Sequence, residues 1–129
     1  MRAPARLAGD RGSATLQIVV LMPALFLLMF TGMQGALIYH ARTVAIAAAQ
    51  EGARNAAAQY SSAAAGDVAA EQFIASAGGA GVLRGVTVTT SWDATTVSVV
   101  VTGTTMSVVP GWTPRIVQSA SAPVERVTR

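Results

Sequence analysis

The sequence predicts an α+β protein, built from a long N-terminal helix that continues beyond a membrane, a short second helix and a small antiparallel sheet of three strands. Three observations predict it. Residues Ala14 to Tyr39 carry no charged side chain. The helix-compatible sequence then runs on through "HARTVAIAAAQEGARNAAAQY" with no proline. Further on, the apolar period changes from that of a helix to that of a strand in "RGVTVTTSW" and "TTVSVVVTG".

As a helix rising about 1.5 Å per residue, the charge-free segment covers roughly 39 Å, more than a hydrocarbon core of about 30 Å. It reads as a transmembrane helix. A cleavable secretory signal is the rival reading, because "AIAAAQ" at residues 45–50 offers small residues at the spacing of a cleavage site. A signal's apolar region normally runs only about 7–15 residues, which favours an uncut span. Arg2, Arg6 and Arg11 precede the segment and Arg42 follows it, so the N-terminus is expected in the cytoplasm and the rest of the chain outside. Pro23 removes one backbone donor and is expected to bend the helix. Thr31 and Gln34 sit in its outer half, where their side chains either favour a protein partner over lipid or simply reach the interface.

Past the membrane, Ala41, Ala45, Ala49, Ala53 and Ala57 recur every four residues. They form a small-residue stripe against which another helix packs closely. Alanine and arginine are also abundant through codon bias, since all nine basic residues are arginine, and that is a competing explanation of the stripe. Gly52 costs the helix about 1 kcal/mol relative to alanine. Glu51 and Arg54 fit a solvated pair on the opposite side. One helix is thus expected over residues 14–60, with about half its length clear of the bilayer.

"YSSAAAGD" reads as a linker, with Asp67 capping a short helix "VAAEQFIASA" that "GGAG" ends. Two strands follow, joined by a turn at Asp93 and Ala94; a third, "RIVQSASAPV", comes after the loop "VPGWTP". The apolar face of such a sheet needs a cover, which the Phe73/Ile74 helix or the upper half of the long helix supplies. Trp92 and Trp112 read as a core anchor and a loop anchor. The domain organisation is then a basic leader over residues 1–12, a transmembrane and extended helix over 13–60, and a small extracytoplasmic domain over 61–129.

Charge excludes one class of function. The net charge of +3 lies within residues 1–42, and downstream five arginines balance five carboxylates. No basic face awaits nucleic acid. With no cysteine, disulfides and thiolate metal sites are excluded. The six acidic residues are scattered, His40 is the only histidine and reads as an interfacial residue, and "GGAGVLRG" lacks the residues of a phosphate loop. No catalytic residue, metal, cofactor or small-molecule substrate is expected.

Two stretches, "RGSATLQIVVLMPALFLLMF" and "ARTVAIAAAQEGARNAA", together resemble the TadE-like family, the pseudopilins or minor pilins of tight-adherence (Flp-type) pilus systems. The later "VPGW…SASAPVER" is similar to actinobacterial members. The resemblance implies a single-pass protein of the cytoplasmic membrane. It also implies a leader cut between Gly12 and Ser13, and as partners the major Flp-type pilin, a TadF-like pseudopilin and the inner-membrane assembly platform. Counted from Ser13, the family usually has glutamate at the fifth position, and Gln17 stands there. Glutamine hydrogen-bonds but cannot neutralise a buried amine, which favours a permanently anchored assembly factor. The alternative is a single-pass anchored extracytoplasmic binding module with no filament role.

Overall fold

A computed structural model of the chain describes residues 9–58 and 61–126. The chain divides into two compact units, Met1–Met33 and Gln34–Arg129. Helix α1 (Gly9–Ala57) runs through both; α2 (Ala63–Ser76), a 3-10 turn (Gly79–Gly81) and strands β1 (Arg84–Trp92), β2 (Thr96–Thr104) and β3 (Arg115–Pro123) complete the second. The class and the order of elements match the expectation. Most of the leader, and Tyr60 at the expected end of the long helix, lie outside the described residues. The helix itself stops at Ala57.

In the first unit, every side chain from Gly12 to Met33 is exposed. Phe26 and Phe30, one turn apart, stack with ring centroids 6.5 Å apart. Pro23 sits inside the helix without ending it. Among the described residues this is the one helix long and apolar enough to cross a membrane.

In the second unit, the sheet is a meander in the order β1-β2-β3, antiparallel throughout. Alternation sets its two faces. In the central strand Val97, Val99 and Val101 are fully buried, while Thr96, Ser98 and Thr102 lie on the other side. The inner face packs on Ala41, Ala45, Ala49 and Ala53 of α1, Ala70 and Ile74 of α2, and Leu83 and Ile116. Both proposed covers are therefore used.

The start of α2 differs from the expectation. The helix begins at Ala63 rather than Val68, and Ser62 is its cap, accepting from the Ala65 amide at 3.3 Å. Much of the expected linker is thus helical. Asp67, freed from capping, accepts from the Thr90 hydroxyl at 2.6 Å and satisfies a polar side chain on the otherwise apolar face of β1. At the far end of the unit, the Glu125 amide donates to the Ala57 carbonyl at 3.0 Å, closing one of the bonds that a helix end leaves open. Trp92 is not a core anchor: it pairs with Val97 at the end of β1 but is 43% exposed.

Candidate functional site

Two surfaces carry the functional question: the exposed apolar run of the first unit and the helical stripe of the second. In the run, Leu16, Ile18, Leu21, Leu25, Leu28 and Met33 point to all sides of the helix and are all exposed. A helix that is apolar all round belongs in a core or a bilayer. Among the described residues none covers it. Gly12, Ser13 and Gln17 lie on the same helix, all exposed, so the possible cleavage point and the fifth position are on the run's first turns.

The two polar residues of its outer half, Thr31 and Gln34, find partners within the chain. The Thr31 hydroxyl donates to the Leu27 carbonyl at 2.7 Å, a local bond that a helix in lipid tolerates. Gln34 is only 3% exposed. Its Oε1 accepts from the Val108 amide at 2.8 Å and lies 3.2 Å from the Ser107 hydroxyl, while its Nε2 donates to the Met106 carbonyl at 3.4 Å. The expected partner protein or interfacial water is, for Gln34, the chain's own loop between β2 and β3. Ile38, one turn on, also packs against the core, so the charge-free segment passes from exposed run to folded unit before Tyr39.

All five stripe alanines are buried: Ala41, Ala45 and Ala49 completely, Ala53 and Ala57 to within 3%. What they meet is the chain's own core. A second row three residues on, Val44, Ala48, Gly52 and Ala56, is buried beside them. The two rows make one broad face with helical spacing. Its tightest point is Gly52. A Cβ there would stand 2.8 Å from the Gly66 carbonyl oxygen, and a Cβ on Gly66 would stand 2.8 Å from the Ala56 Cβ. The two helices meet backbone to backbone, so glycine is needed at both places. Glu51 and Arg54 form the expected exposed pair at 2.8 Å.

The second row and Gly66 were missed in the sequence. The row was hidden because counting every fourth residue follows one line of a face that is two lines wide. His40 is exposed, and among the described residues no three His, Cys, Asp or Glu side chains come together.

The apolar run and the small-residue face it leads into are consecutive parts of one helix. Residues 12–54 match the TadE-like protein family. The TadE-like segment begins at Gly12, takes in the whole exposed run and most of the buried face, and ends before α2 and the sheet. It spans about one third of the chain. No curated protein and no solved structure matches the chain.

Proposed function

We propose that the chain is a membrane-anchored pseudopilin- or minor-pilin-like component of a tight-adherence pilus assembly machinery, acting by helix packing and protein–protein contact. The observation that carries this reading is the TadE-like match lying over an apolar helix segment that the described residues leave exposed. In this reading Ala14 to Met33 cross the bilayer; at about 1.5 Å per residue they cover roughly 30 Å, the thickness of a hydrocarbon core. The N-terminus is cytoplasmic and the unit from Gln34 onward extracytoplasmic, as the leader arginines favour. The partners are the major Flp-type pilin, a TadF-like pseudopilin and the inner-membrane platform.

Because the alanine stripe is occupied by the chain's own fold, partner helices meet the exposed face of the span instead. Gln17 in place of the family's usual glutamate favours a protein that stays anchored, with the bond between Gly12 and Ser13 intact. Detergent extraction and pull-down with the products of neighbouring genes tests the reading: pilin, pseudopilin and platform proteins should co-purify. Intact mass reports the leader. A second reading, an anchored binding module without a filament role, draws on the match ending at residue 54, before the sheet. Normal piliation in a deletion strain, with no pilus protein captured, would favour it.

A further inference from the structure

The loop between β2 and β3 exposes several apolar side chains. Met106, Val109 and Trp112 are 39%, 41% and 48% exposed, and residues 105–114 carry no charge. Its tip is a tight turn. Pro110 fixes the first central position, Gly111 takes φ +77° at the second, and the Trp112 amide donates to the Val109 carbonyl at 3.3 Å. Val109 and Trp112 therefore flank a rigid turn.

Its anchor is Gln34, through the bonds to Met106, Ser107 and Val108. Gln34 directly follows Met33, the last residue of the fully exposed run, so the loop is attached to the helix at the position where one of its sides first becomes buried, while Tyr39 farther on is still 75% exposed. Charge agrees with this. Arg84 opens β1 and Arg115 opens β3, both paired with Thr104 at the end of the sheet where the loop begins. They share one surface hollow, and neither meets a carboxylate among the described residues. Asp93, in the turn after β1, and Glu125, whose backbone amide meets Ala57, lie at the opposite end, together with Arg126, which donates to the Ala94 carbonyl.

We infer that this loop is a second membrane contact: Met106, Val109 and Trp112 seat in the bilayer interface next to the span, and Arg84 and Arg115 face lipid phosphates. Tryptophan favours that zone because its ring is apolar with one polar edge, and arginine reaches phosphate from an apolar footing. The inference rests on the membrane-anchored reading. The contact fixes the folded unit against the membrane surface by two points rather than one.

The chain has two tryptophans, so each can be isolated as a reporter. The full chain carrying Trp92→Phe, and separately Trp112→Phe, is reconstituted in vesicles of phosphatidylcholine and phosphatidylglycerol, with and without bromine on the upper acyl chain. Flotation with the vesicles is scored first. Brominated lipid should quench Trp112 by about twofold or more and leave Trp92 nearly unchanged, as interfacial seating of one ring requires. A chain that floats while Trp112 stays unquenched and open to aqueous iodide overturns the loop contact alone, and leaves the loop free for a protein. A chain that does not float overturns the anchored reading and the loop contact together.

Discussion

Two stretches of one helix invert the usual relation between size and burial. From Gly12 to Met33 the helix carries leucine, isoleucine, methionine and phenylalanine, and all of them are exposed; from Ala41 to Ala57 alanine is the commonest residue, and one face is buried. Hydrophobicity alone would order them the other way. Burial depends on what a segment can approach, and small side chains bring a second helix and a sheet close enough to exclude water. Large apolar side chains on every side suit a solvent of lipid instead. A single helix thus holds two environments, divided at Gln34.

The comparison breaks most readily at Gly52. Gly52→Val puts side-chain atoms against the Gly66 carbonyl and should destabilise the second unit by about 3 kcal/mol, measured by denaturant unfolding in micelles with tryptophan emission as the probe. Gln34→Leu comes next. It leaves the Val108 amide without its acceptor, so a loss of about 2 kcal/mol is expected, together with faster hydrogen exchange at Val108 and unchanged flotation with vesicles.

Asp67→Ala removes the acceptor of Thr90 and should cost about 1 kcal/mol in the same unfolding measurement. The smallest effect is expected on the other side of the divide. Leu25→Ala, in the exposed run, should change unfolding of the second unit by less than about 0.5 kcal/mol. A larger change there would mean that the two stretches are coupled, and the comparison would need redrawing.

Much of this was legible in the sequence, for reasons the structure makes clear. The three strands fall within a residue or so of their expected bounds because valine alternates with threonine or serine in the first two and alanine with serine in the third, and a period of two survives any choice of neighbours. The apolar run is unmistakable because lipid demands length and the absence of charge. The start of α2 was not legible, since Ala63 to Gly66 have the composition of a linker and their helical state depends on the Ser62 cap and on the fit of Gly66 to Gly52.

Gln34 was harder still. Its partners lie more than seventy residues away in sequence, and nothing near it signals them. Asp67 carried a valid cap signal, but its oxygen serves Thr90 on the neighbouring strand. In each case a tertiary partner decided between local options that the sequence left equal.

The division of the helix can be read directly, because the chain has no native cysteine to interfere with labelling. Single cysteines placed at exposed positions along α1, at 18, 21, 25, 28 and 33 and then at 42, 43, 46, 50 and 54, can carry spin labels in vesicle-reconstituted protein. Relaxation by oxygen, which concentrates in lipid, is compared with relaxation by a water-soluble nickel complex. The account predicts that oxygen dominates at each of the first five positions, whichever side of the helix they lie on, and that the nickel complex dominates at each of the last five. Nickel access at 21, 25 or 28 would contradict a lipid-covered run, and oxygen dominance continuing past 42 would contradict a folded unit that begins at Gln34.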